Sequence, residues 1–450
     1  MLVAVKGNIV LSEGFGWADR EKEIPITASS VSNIGSVTKQ FTASAIIKLV
    51  EQAKINTSDN LIKFFPEVAE NKKEITVHQL LTHTSGISPG TGGFRYDEAT
   101  KDQFLKDFFD SKLLTPPGSK HRYANTNYIM LAAIIEKVSG QDYETFLTEN
   151  LWRPAGLQNS GYKHTNYKSK QLAHGYYFDI SEASWKDWGT TREHLPKTEN
   201  HWYSIGKGDI QSTVEDLYKW HLALEANSVL DAESRKMLES PFTPENEDGT
   251  SFYGYGWAIS HTSRGTKIIT HNGSNGIYFA NFIRFVEDNV VVIVLSNTIL
   301  NPDSENVAWE IGRMVFNLDY KPKPVSKLSY ELVYDYTQTN TPENAKKLVP
   351  YLEEKLNGKL NDKALFNRLG FKMRAKENKT GWGLELLKLN VQLFPDDGNL
   401  WDSLGDAYFN YQQNTNAIKS FQKALELCNK PDCHWRENSE SKLRKLTSKL

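Results

Sequence analysis

The chain has 450 residues, more than one typical domain of roughly 100–200 residues requires. Charged residues make up 24% and aromatics 12%, the composition of a folded globular protein and not of a disordered one. A net charge of −2 leaves no global attraction to nucleic acid or to an anionic membrane.

The first residues read as strand, tight turn, strand: Leu2-Val3-Ala4-Val5, then Lys6-Gly7-Asn8, then Ile9-Val10-Leu11. Two or three strands are expected within 1–25. No charged region, long apolar stretch or small-residue cleavage site precedes this hairpin. Either the protein stays inside the cell or a leader has been lost. From Ser36 to about Ala53 the apolar residues Phe41, Ala45, Ile46, Leu49 and Val50 share one helical face. Further helical stretches fall near 76–82, 101–109 and 126–138. Strand character returns over 252–297. The apolar run Val290 to Leu295 falls far short of the roughly 20 residues a membrane span needs, and reads as a buried strand. An α+β layered domain fits this order of elements, with strands from both ends meeting in one sheet.

Residues 319–327, with Pro322 and Pro324, read as a linker between a domain 1–318 and a helical domain 328–450. In the latter, Trp401, Leu404, Gly405, Tyr408, Ala417, Phe421 and Ala424 match the tetratricopeptide spacing. Leu369-Gly370, Leu387 and Pro395 look like a slipped second copy. A protein partner for such repeats is one implication. Cys428 and Cys433 are too few for a disulfide framework and identify no redox compartment; one bridge between them is an option left open.

Ser36-Val37-Thr38-Lys39 fits S-x-x-K, a serine–lysine pair one helical turn apart. A serine hydroxyl is a weak nucleophile until a base takes its proton. A lysine serves as that base only when desolvation or nearby positive charge lowers its pKa. The tetrapeptide alone is weak evidence, since it recurs at Ser160, Ser204, Ser420 and Ser439. Only Ser36 follows a glycine and opens an apolar helix, where backbone N–H groups favour negative charge. Tyr123-Ala124-Asn125 is the second motif. On an extended stretch Tyr123 and Asn125 point the same way, Tyr123 toward proton sharing with Lys39 and Ser36, Asn125 toward a substrate amide or ester. His271-Asn272-Gly273 is the third. A small Gly273 lets a substrate lie along the strand edge. The N–H groups of Ser274 and Ser36 are then candidates for an oxyanion hole.

Together these residues resemble the serine β-lactamase-like family of class C β-lactamases, D-aminopeptidases, D,D-carboxypeptidases and family VIII esterases. Four further segments carry the resemblance: Gly16-Trp17-Ala18-Asp19, Leu80 to Ile87, Ser212 to Leu217 and Gly254-Tyr255-Gly256-Trp257. It implies an antiparallel sheet flanked by helices with an inserted helical subdomain. It also implies an acyl-enzyme on Ser36, with Lys39 and Tyr123 handling the proton and no metal or organic cofactor. Asn125, His271, Gly273 and Ser274 are the implied substrate-binding set. Two departures stand out. The usual N-terminal helix and the start of the first strand are missing; the family is commonly exported, which fits a lost leader. His271 replaces the lysine that β-lactam-processing members hold against a substrate carboxylate. Hydrolysis of esters or small amides and peptides is therefore the leading expectation. The alternatives are a β-lactamase or cell-wall peptidase, and an inactive binding protein working through its repeats.

Overall fold

Strand β1 (Leu2–Val5) lies antiparallel against β14 (Val290–Ser296), with Leu2 opposite Ile293 and Val5 opposite Val290. The two ends of the hydrolase-like region thus close one sheet. The computed structural model describes every residue except 90–92, 163–166, 168–170, 199, 300–302, 324, 326, 375–379, 429–432, 434 and 449–450.

The N-terminal segment holds four strands where two or three were expected: β1, β2 (Asn8–Ser12), β3 (Trp17–Asp19) and β4 (Ile24–Pro25). Short strands β5 (Ser32–Asn33) and β8 (Gln211–Ser212) pair with each other, as do β6 (Gly175–Asp179) and β7 (Ser184–Gly189). The rest are β9 (Thr243–Pro244), β10 (Ser251–Tyr253), β11 (Ala258–His261), β12 (Lys267–Ser274) and β13 (Phe279–Phe285). They complete an eight-stranded sheet in the order β2-β1-β14-β13-β12-β11-β10-β9, antiparallel at every junction. Every residue of β13 is buried, and β14 is a nearly continuous apolar run, as expected where both faces of a sheet are covered. One cover is the helix Asp303–Phe316, whose Ala308 and Trp309 pack with Phe285 and Val292. On the other face lie the helices Lys39–Glu51 and Asn125–Ser139. Ten residues of each are buried, so both are interior helices.

The chain forms two compact units, residues 1–177 with 187–323, and residues 178–186 with 324–450. The tip of the β6–β7 hairpin therefore belongs with the helical unit, where Phe178, Ile180 and Ala183 pack against its core. The sequence reading had assigned that tip to the first domain. Nor is the start of the 319–327 segment free of structure: the Tyr320 hydroxyl and the Lys323 N–H both donate to Glu310.

The second unit carries helices Ser329–Thr339, Leu348–Lys355, Lys363–Arg374, Thr380–Leu393, Gly398–Asn410, Asn414–Glu426 and Arg436–Thr447. Cys428 and Cys433 are joined by a disulfide, with Cα atoms 5.9 Å apart, between the last two helices. That resolves the option the sequence left open.

Candidate active site

Ser36 does not begin the α-helix itself. It lies in a 3₁₀ turn, Gly35–Thr38, that runs straight into the helix starting at Lys39. The turn is set by Asn33, whose Oδ1 accepts from the Gly35 N–H at 2.7 Å, and by Gly35, held at φ +50°. Asn33 in turn donates to the buried carboxylate of Asp209 at 2.9 Å, and Arg95 pairs with that carboxylate at 2.8 Å.

Lys39 is fully buried. Its Nζ has three neighbours: Ser36 Oγ at 3.1 Å, Asn125 Oδ1 at 2.8 Å and the Lys207 carbonyl at 2.5 Å. The last two are acceptors only. A neutral amine gives its two N–H bonds to them and is left with a lone pair facing the Ser36 hydroxyl. Burial holds the Lys39 pKa well below its ordinary value, and the nearby Arg95 and Lys207 charges lower it further. The neutral form is thus the one this site favours. Lys207 is itself lowered to about 8, chiefly by burial.

Tyr123 meets Lys39 through its ring, 4.9 Å from Nζ to the centroid, and lines the same cleft as Ser36. Desolvation raises its pKa. The Leu80–Ile87 segment explains this placement. His83 packs against the Tyr123 ring with centroids 4.3 Å apart, tilted by 39°, and its Nδ1 accepts from the Ala124 N–H at 3.2 Å. Asn125 differs from expectation: it opens the helix Asn125–Ser139, and its oxygen is engaged by Lys39.

β12 passes directly in front of the serine turn. A methyl group built on Gly273 would stand 2.6 Å from the Ser36 nitrogen and 2.2 Å from the Ile34 oxygen. Only glycine permits that approach, which brings the Ser36 and Ser274 nitrogens onto one side. Pairing of β12 with β11 ends at Thr270, so the edge from His271 to Ser274 has β13 on one side only. The His271 side chain turns inward. Its Nε2 lies 3.0 Å from the Tyr253 hydroxyl and its Nδ1 2.5 Å from the Asn272 carbonyl. Since a carbonyl only accepts, Nδ1 carries the proton and Nε2 accepts from Tyr253. The ring presents no spare donor to a substrate, against the expectation from sequence. Burial, above all, pushes its pKa down to about 4.

Sequence reading missed Lys207, Arg95 and Asp209. Ser204–Lys207 had been counted among the chance S-x-x-K matches. Ser204 is indeed structural, donating to the Arg95 carbonyl at 2.6 Å, but Lys207 sits beside Lys39. Ser160 donates to Asp216 and Ser439 to Asp402. Among the described residues no group of three or more metal-type ligands occurs.

A serine with a buried lysine one turn on, set against an open strand edge, defines the class of serine hydrolases related to penicillin-binding proteins. The chain belongs to the beta-lactamase family, whose model matches residues 1–313. It is 27% identical over 310 residues to penicillin-binding protein 4* of Bacillus subtilis, covering 66% of this chain and 67% of that one. The octameric penicillin-binding protein homologue from Pyrococcus abyssi superposes with a TM-score of 0.61 at 29% identity, covering 70% of this chain and 72% of that one. D-amino acid amidase from Ochrobactrum anthropi SV3 shares the fold, with a TM-score of 0.58 at 18% identity, over 71% of this chain and 94% of that one. The chain spans between 61% and 67% of the length of the curated relatives first matched.

Proposed function

We propose that the chain hydrolyses esters or small amides through an acyl-enzyme on Ser36. The observation that carries this reading is the orientation of the Lys39 amine: its two acceptor partners leave its lone pair for the Ser36 proton. Lys39 takes that proton as Ser36 Oγ bonds to the substrate carbonyl carbon. The N–H groups of Ser36 and Ser274 stabilise the oxyanion. Tyr123 gives its hydroxyl proton to the leaving group as the leaving group's bond to carbon breaks, and the proton held by Lys39 replaces it. Water then attacks the acyl-enzyme, and the same groups return the proton to Ser36. Asn125 acts by fixing Lys39, and Gly273 by admitting the substrate to the strand edge.

His271 favours this reading over a β-lactamase or D,D-carboxypeptidase. It is neutral and internally bonded, so it supplies no charge for the carboxylate such substrates carry. The penicillin-binding relatives support an exported location. In the helical unit, Gly405 lies against Phe421 at 2.6 Å and Gly370 against Leu387 at 2.7 Å, measured from a methyl group built on each glycine. The same small-against-large contact thus recurs after about one repeat of roughly 34 residues. That supports a tetratricopeptide-like module, a surface for a protein partner.

The test is a hydrolysis panel of p-nitrophenyl esters, amino-acid amides and a chromogenic cephalosporin, with Ser36→Ala as control. Ester turnover and phosphonate labelling, both abolished in Ser36→Ala, are expected. Labelling that persists in that variant, or cephalosporin turnover matching the best ester, overturns the reading.

A further inference from the structure

Among the described residues, every side chain bonded to the buried Asp209 carboxylate donates to it. Asn33 Nδ2 does so at 2.9 Å, Arg95 Nη1 at 2.8 Å and the Tyr96 hydroxyl at 3.3 Å. The bonds farther out fix the same direction. Asn33 Oδ1 accepts from the Gly35 N–H at 2.7 Å, so its Nδ2 is the end turned to Asp209. Asn275 Oδ1 accepts from the N–H groups of Ile277 at 3.0 Å and Tyr278 at 2.8 Å. Its Nδ2 therefore donates to the Tyr96 hydroxyl at 2.9 Å, which leaves that hydroxyl's proton for Asp209. Two arms thus end on one carboxylate. The first comes from the turn that carries Ser36, the second from the turn that follows Ser274.

The rest of the surroundings suits that place. The charge of Asp209 is offset by Arg95, as a buried carboxylate requires. Asp209 stands at φ +67°, where most side chains are strained but Asp and Asn are tolerated. The backbone on either side grips the same serine turn. Lys39 Nζ donates to the Lys207 carbonyl, the Ile34 N–H to the Ile210 carbonyl at 3.0 Å, and the Ile210 N–H to the Thr38 hydroxyl at 3.2 Å. Three donors on two oxygens call for a carboxylate, since an amide accepts on one oxygen only. Hydrogen bonds that run in one direction also reinforce one another.

We propose that Asp209 is the positioning residue that fixes the Ser36 and Ser274 N–H groups relative to each other, through Asn33 on one side and through Tyr96 with Asn275 on the other. Being buried, it acts through the two turns and not on the substrate. The oxyanion role rests on the reading of Ser36 as nucleophile; the hydrogen-bond network does not.

Asp209→Asn tests this in the full chain with volume and backbone conformation kept. Its amide nitrogen meets groups that donate, so one arm is lost. The expected fall in kcat is about 10²-fold, the scale of a small misplacement in an active site, with KM little changed. Tyr96→Phe cuts the second arm alone and lowers kcat by a smaller factor. The double variant is no slower than Asp209→Asn, because both changes act on one network. Hydrogen exchange read by mass spectrometry needs no turnover. In Asp209→Asn the segment holding Gly35 and the segment holding Ile277 and Tyr278 both exchange faster; in Tyr96→Phe only the second does. Wild-type kcat in a folded Asp209→Asn protein, a raised KM with kcat unchanged, or wild-type exchange in both segments overturns the proposal. If Asp209→Asn does not fold, Tyr96→Phe decides: lowered kcat with faster exchange in the second segment upholds it, and wild-type values overturn it. Linked exchange in a chain that neither turns over any ester nor labels at Ser36 upholds the network and overturns the hydrolase reading instead.

Discussion

Gly35 and Ser274 are in direct backbone contact: a methyl group on the Gly35 α-carbon would lie 2.3 Å from the Ser274 nitrogen. Gly273 makes the reciprocal approach to the Ser36 nitrogen at 2.6 Å. Two glycines on separate elements thus set the spacing of the Ser36 and Ser274 N–H groups, the pair proposed to hold the oxyanion. Gly35 also sits at φ +50°, where a side chain is strained.

Gly35→Ala should therefore push the serine turn off β12. The expected loss is about 10²–10³ in kcat, the scale of removing one oxyanion donor. Steady-state kinetics beside a circular dichroism spectrum of the same sample checks it. Wild-type kcat in a folded Gly35→Ala protein would remove the oxyanion role.

Lys39 bonds Ser36 and lies over the Tyr123 ring, and Tyr123 and Ser36 line one cleft. They should titrate and fail as one unit. Lys39→Ala and Tyr123→Phe should each lower kcat by about 10²–10⁴. The double variant should be little worse than the poorer single one. Losses that multiply would mean two independent proton paths.

His271 links the site to acid stability. Its pKa is lowered from 6.5 to about 4, chiefly by burial. Between those values the unfolded chain takes a proton that the folded ring refuses. Stability therefore falls as pH drops through that window and levels off below it, by a total of about 3 kcal/mol for this group. His83 and His221 are lowered too and act in the same direction. The comparison to make is urea unfolding of the wild type and His271→Gln across pH 4 to 7. The variant should show the shallower fall, and identical slopes would contradict the assignment.

The hairpin tip governs how the chain tolerates truncation. Phe178 and Ile180 pack into the helical unit, so a chain ending at Lys323 leaves them bare. That protein should aggregate, while the same chain carrying Phe178→Ser and Ile180→Ser should stay soluble and hydrolyse a small ester. Soluble yield and ester turnover of the two report the outcome. A well-behaved unsubstituted truncation would show that the tip folds without the helices.

Much of the site was legible because its signals are local. Ser36 and Lys39 are one turn apart, so the pair is written in four consecutive residues. Gly273 is readable for a similar reason, since a close backbone approach admits one residue type. The apolar runs of β13 and β14 and the two interior helices were equally readable, because burial on all sides leaves few polar positions. The sequence reading of His271 went astray at the side chain. Its residue type could be read, but its direction depends on Tyr253, a partner on another strand.

By itself the sequence determined the fold class, the helical character of the C-terminal part and the serine–lysine pair proposed as nucleophile and base. The tertiary structure decided what surrounds that pair. Asn125 and the Lys207 carbonyl reach Lys39 from positions 86 and 168 residues away. Asn33, Asp209 and Asn275 join one network from strand β5, the segment before β8 and the turn after β12. No spacing rule joins such positions. Their convergence follows from how the strands pair, and that pairing is fixed by long-range burial.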